Sequence, residues 1–191
     1  MSNIYEIKKA IETLIINGTK KKNITLMQCT SAYPAPYEEI NLNTIHTLRK
    51  IFKLNIGFSD HSLGVQASIA AAVLGAKVIE KHLTLSTKLK GPDHRASLDP
   101  KEFKFMVQSI RIVEKILGDK IKKITKSEKK NILIVRKSIV ASTRIDKNEK
   151  FSNFNITCKR PGTGISPLFY KKLIGKKSMR NFNKNDLIKI R

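Results

Sequence analysis

Apolar residues recur along this chain at helical spacing in some stretches and in short extended runs in others, and the two alternate through the first 118 residues. Ser2 can cap a first helix in which Ile4, Ile7, Ile11 and Leu14 share a face, and Asn17 with Gly18 supplies its stop. Ile24 to Cys29 reads as a short buried strand. Thr30, Ser31, Ala32, Tyr33, Pro34, Ala35 and Pro36 follow, and the two prolines forbid a helix there. Asn41 to Phe52 predicts an amphipathic helix with Leu42, Ile45, Leu48 and Phe52 on one side. Ile56 to Phe58 is the next strand, with Ser59, Asp60 and His61 at its end. Between Leu63 and Leu74 the small residues Ala67, Ala70, Ala71 and Ala72 suit a helix packed closely on a sheet and stopped by Gly75. Val78 to Leu83 is the third strand. Asp99, Pro100 and Glu102 form a helix start of cap, first-turn proline and reciprocal acid, and the apolar face from Phe103 to Leu117 runs to Gly118.

This alternation predicts parallel β/α units in residues 1–118. Beyond Gly118 the pattern changes. A lysine-rich linker over 119–130 leads to short β-like runs at Ile132 to Val135, Ser138 to Ala141 and Ile156 to Lys159, separated by turn signals at Asp146 to Glu149 and Pro161 to Gly164. The expectation is a small, irregular β module over 131–191.

Composition narrows the function classes. The chain has 191 residues, 40% of them hydrophobic, which suffices for a core. Cys29 and Cys158 lie far apart with no metal-type spacing, which favours a reduced, cytoplasmic setting. The start, MSNIYEIKKAIETL, lacks a long apolar run, and the apolar stretch from Leu63 to Ile79 is broken by Gln66, Ser68 and Lys77, so no membrane role is expected. A net charge of +23 raises nucleic acid as a partner. The lysines, however, are spread along the whole chain, and no arginine cluster alternates with aromatic residues, so a solvated basic surface is the expectation.

Candidate chemistry concentrates between Val78 and Leu98, VIEKHLTLSTKLKGPDHRASL. Here Glu80, Lys81 and His82 would leave the end of a strand, and Ser86 to Arg95 would fold over them. Together with CTSAYPAP at Cys29 to Pro36, GFSDHSLG at Gly57 to Gly64, IEKHLTL at Ile79 to Leu85, GPDHRASL at Gly91 to Leu98 and KRPGTGI at Lys159 to Ile165, this stretch resembles the sialic acid synthase family. The five motifs stand in the family's order and cover nearly all the chain.

The resemblance implies condensation of phosphoenolpyruvate with an N-acetylated mannose-type sugar to a nine-carbon 2-keto acid, with release of phosphate. It implies the last three strands of a (β/α)8 TIM barrel followed by an antifreeze-like SAF domain, in a domain-swapped homodimer. His61 and His82 match the family's metal ligands, the ion being Mn2+ or Mg2+, although imidazoles in such places can also simply hydrogen-bond in a core. Glu80, on the same side of its strand as His82, would orient a water or take a proton, or would pair with a lysine. Asp93 matches the acceptor for sugar hydroxyls, and otherwise reads as a loop or cap aspartate. Ser31 and Ser59 could donate to phosphoenolpyruvate oxygens, and Ser31 replaces the asparagine found in part of the family. Tyr33 would line the sugar pocket or pack beside Pro34. Arg160 matches the arginine that reaches from the SAF domain into the partner's site, and otherwise is a turn arginine. His46 and His94 carry no such match. The GPDHRAS loop favours neuraminate or legionaminate synthases over pseudaminate synthases.

A (β/α)8 barrel needs about 250 residues, so the expectation is either a truncated or split synthase or a piece of a longer enzyme. A truncated or split form would work with a separate N-terminal half-barrel that carries most phosphoenolpyruvate-binding groups. The alternative is a catalytically inactive remnant whose SAF module folds alone or binds a partner.

Overall fold

A computed structural model of the chain describes residues 1–190. It divides into two units, the first ending at Asp119 and the second starting at Lys120.

The first unit is built of helices on a parallel sheet. Strands β1 (Thr25–Cys29), β2 (Asn55–Asp60) and β3 (Ile79–Lys81) lie in that order, each parallel to its neighbour. Central β2 has both neighbours and is buried from Ile56 to Asp60, whereas β1 pairs only with β2 and is half-buried throughout. The helices are α1 (Ile4–Ile16), α2 (Thr44–Phe52), α3 (Gln66–Val73) and α4 (Pro100–Leu117). Ile45 and Leu48 of α2, Ala67 and Ala71 of α3, and Ile56 and Phe58 of β2 form the main core with Ile40. Small residues on α3 let it approach the sheet closely, and α4 covers it in turn, with Met106 and Ile110 packed near Leu98 and Ile79.

The expected α4 start is present: the Asp99 carboxylate accepts from the Glu102 amide while Glu102 accepts from the Asp99 amide. The first helix is capped by Asn3, not Ser2, because Asn3 and Glu6 complete a reciprocal capping box. The third strand is shorter than expected. It keeps its direction to Leu83 through bonds from the Thr84 amide to the Leu98 carbonyl and from the Leu98 amide to the His82 carbonyl.

The second unit holds α5 (Lys126–Val135), the antiparallel pair β4 (Ser138–Ala141) and β5 (Ile156–Lys159), and a short α6 (Tyr170–Leu173). Isolated bridges such as Ile145 with Phe182 and Val140 with Leu187 tie its turns together. Ile139, Ala141, Ile145, Phe151, Ile156, Leu173, Phe182 and Ile188 make its core. One expectation fails here. Ile132 to Val135 is not a strand but the last turn of α5, which also takes up the end of the expected 119–130 linker. Thr125 and Glu128 form a capping box at its start, and once nucleated the helix carries the β-branched run with it.

Among the described residues, no helix is long and apolar enough to cross a membrane. Both cysteines are free.

Candidate functional site

Parallel register brings the motif residues into one row. Cys29 stands opposite Ser59, and Ser59 opposite Glu80, so the ends of β1, β2 and β3 present them side by side. His61 and His82 follow two residues later on the same side as Ser59 and Glu80. Their ring centroids lie 5.2 Å apart, edge to face at 79°. Tyr33 packs over both, 4.2 Å from the His61 ring and 5.6 Å from the His82 ring, so it belongs to the histidine pair.

His61 is 7% exposed, and its Nδ1 lies 2.8 Å from the Thr30 carbonyl oxygen. A carbonyl only accepts, so Nδ1 carries the hydrogen and donates it, and in the neutral ring Nε2 keeps a lone pair. The Cys29 Sγ sits 3.8 Å from the same Nδ1. Ser59 Oγ is 3.3 Å from His61 Nε2 and donates at 2.6 Å to Glu80 Oε1. With that hydrogen committed to Glu80, the Nε2 lone pair is left for another ligand. The expected alternative for Glu80, a pair with a lysine, is not what forms.

A buried imidazole with one nitrogen tied to a carbonyl and the other facing the site, beside a second imidazole, has donor chemistry that fits a divalent ion. The pair would supply two ligands to such an ion. Among the described residues, no group of three or more His, Cys, Asp and Glu side chains is arranged to hold a metal.

The remaining expected residues are less gathered. Ser31 is exposed just past β1 and borders an open cavity with Cys29, Thr44 and Thr47. Asp93 is exposed on the loop between β3 and α4. Its side chain makes no cap bond to the following turn, while its carbonyl accepts from the Ala96 amide and the Ser97 hydroxyl. His94, which carried no match in the sequence, bonds through Nδ1 to Thr84 Oγ1 at 2.8 Å and so pins this loop. His46 is exposed on α2. Arg160 belongs to the second unit, where its Nε donates to the Val135 carbonyl at 3.0 Å.

One group was not foreseen. Asp60 and Lys81, opposite each other in register, form an ion pair of 3.2 Å with both side chains at 0% exposure. The Asp60 carboxylate also accepts from the Ser62 amide at 2.8 Å, the Ser62 hydroxyl at 2.6 Å and the Ser68 hydroxyl at 2.6 Å, while Lys81 Nζ donates to the Ser62 carbonyl. Burial pushes the Lys81 ammonium below the ordinary lysine range, against the opposing charge and hydrogen bond of Asp60.

Comparison with known proteins agrees with the motifs. Residues 1–122 match the NeuB family and residues 136–190 the SAF domain. The N,N'-diacetyllegionaminic acid synthase of Campylobacter jejuni is 50% identical over 189 residues, 99% of this chain and 57% of that protein. Human N-acetylneuraminate-9-phosphate synthase is 36% identical over 190 residues, 98% of this chain and 50% of the human one. Among solved structures, an N-acetylneuraminic acid (sialic acid) synthetase from Leptospira borgpetersenii, in complex with citrate, superposes with a TM-score of 0.61 at 32% identity, covering 69% of this chain and 45% of that one. The chain thus spans about half the length of the curated relatives it matches. With a family match over its whole first unit and a SAF domain in its second, the chain belongs to the NeuB family of sialic acid synthases.

Proposed function

We propose that this chain carries the sugar-side half of a sialic acid synthase site. Its three parallel strands would be the last three of a (β/α)8 barrel whose other strands correspond to the N-terminal half of the relatives. The reaction joins the enol carbon of phosphoenolpyruvate to the aldehyde carbon of an N-acetylated mannose-type sugar, after which water adds to the resulting cationic carbon and phosphate departs. The observation that carries this reading is the His61 and His82 pair flanked by the Ser59 to Glu80 hydrogen bond.

In this reading His61 and His82 hold Mn2+ or Mg2+, which when bound supplies Lewis-acid polarisation of a carbonyl oxygen. The Thr30 carbonyl fixes the His61 tautomer, which would leave the Nε2 lone pair available to such an ion. Glu80, held by Ser59, takes the proton released by the attacking water. Asp93 accepts from sugar hydroxyls, Tyr33 walls the pocket, and Ser31 donates to phosphoenolpyruvate. Arg160 reaches the sugar's N-acetyl oxygen across a domain-swapped dimer, where its forked guanidinium suits a carbonyl acceptor. A cytoplasmic setting, where both substrates would be made, fits the two free thiols.

The test is phosphate release from phosphoenolpyruvate with an N-acetylated mannosamine and Mn2+. The chain is assayed alone and with a polypeptide equivalent to the relatives' N-terminal half, and mass spectrometry is used to find the nine-carbon acid. Activity is expected only in the complemented sample, and absence of product there refutes the proposal. A second reading, a non-catalytic SAF module, is favoured by the self-contained core of the second unit. That reading predicts a folded product from residues 120–190 and a chain that never turns over.

A further inference from the structure

The buried Asp60 and Lys81 pair has no part in the chemistry above. Removing two charges from water costs more than such a pair commonly returns, and well-packed apolar residues in its place are often neutral or stabilising. What a fully satisfied pair does provide is geometry. Both groups stand one residue before a site histidine, on the side of β2 and β3 opposite to Ser59 and Glu80. Asp60 and Ser62 flank His61 and are bonded to each other twice, which fixes the backbone on both sides of that imidazole. Lys81 holds the Ser62 carbonyl as well as Asp60, so the strand that carries His82 is fastened to the same turn. Ser68 anchors the carboxylate from α3.

We propose that the Asp60–Lys81 pair is a positioning clamp that sets the spacing of the His61 and His82 imidazoles, and through it the affinity of the site for a divalent ion. The metal half of this statement rests on the proposed function, and the spacing half does not.

The test uses the full chain with Asp60→Asn and Lys81→Met combined, which keeps side-chain volume and removes both charges, and separately Ser68→Ala, which removes one bond to the clamp. Two quantities are read: Mn2+ affinity by electron paramagnetic resonance, and the imidazole 15N and 1H resonances of His61 and His82 without metal. The double variant is expected to stay folded, to bind Mn2+ about tenfold more weakly, and to lose the slowly exchanging His61 Nδ1 proton held by the Thr30 carbonyl. Ser68→Ala is expected to shift the same resonances less.

If wild type binds Mn2+ with the same affinity as His82→Ala, or not at all, the metal reading fails while the imidazole spectra still decide the clamp. Unchanged His61 and His82 resonances in the double variant overturn it, and so does Mn2+ affinity within twofold of wild type where His82→Ala abolishes binding. Should the double variant not fold, Ser68→Ala decides alone: unmoved histidine resonances refute the clamp.

Discussion

At the scale of single residues, the site depends on how closely its strands approach. Gly57 stands on β2 opposite Met27 of β1, and a Cβ there would meet Met27 Sδ at 2.3 Å and, on the β3 side, the Val78 carbonyl oxygen at 2.8 Å. The methionine can swing aside. The carbonyl cannot, because it accepts the Phe58 amide at 2.9 Å and so belongs to the link between β2 and β3. Gly57→Ala is therefore expected to destabilise the first unit by about 1–3 kcal/mol, seen as a lower urea midpoint. A midpoint equal to wild type would show that the strands have room to spare. The glycine was visible in the sequence as part of GFSDHSLG, but its reason was not, since that reason lies in a neighbouring strand. Asp60 and Lys81 were hidden in the same way. Each stands beside a recognisable histidine, yet only the register of β2 against β3 shows that they meet.

At the scale of elements, legibility followed local signals. Asp99, Pro100 and Glu102 announced α4 because a capping box is written within four residues. The same kind of signal, Thr125 with Glu128, starts α5, but the β-branched run at its far end suggested a strand, and propensity proved the weaker guide. The box also makes α5 responsive to acid. The Thr125 backbone amide, then its hydroxyl, then the charge of Lys122 hold the exposed Glu128 carboxyl below the usual carboxylate value of 4.5. A carboxyl with a depressed folded pKa contributes stability above its unfolded value and loses that contribution as pH falls through the folded one. Below pH 4.5, amide protection in α5 is therefore expected to decline ahead of that in α4, as read by hydrogen exchange with correction for intrinsic rates. Glu128→Gln should remove this step, and a wild-type profile identical to that of the variant would contradict it.

At the scale of the molecule, the sheet of the first unit is uneven in a way that bears on function. Every residue of β1 is half-buried, whereas five of the six in β2 are buried, because β1 has a hydrogen-bonded neighbour on one side only. Parallel strands are ordinarily covered on both faces, and an unpaired edge is a template for a further strand. Among the described residues no strand pairs with the outer edge of β1, and local opening there exposes little apolar surface. Amides of Thr25 to Cys29 are expected to exchange at least about tenfold faster than those of Ile56 to Asp60 in the chain alone. If β1 receives the preceding strand of a barrel, adding the N-terminal half should slow the β1 amides toward the β2 rate and leave those of the second unit's core strands, Ser138 to Ala141, unchanged. This separates docking from catalysis: slowed β1 exchange without product would mean the halves join but the site is incomplete, whereas product without slowed exchange would mean that β1 is not the joining edge. The histidines, Glu80 and Tyr33 all lie at the carboxyl ends of these strands. Closing the sheet at β1 would therefore also close the wall of the site beside Ser31, the side from which phosphoenolpyruvate would be held.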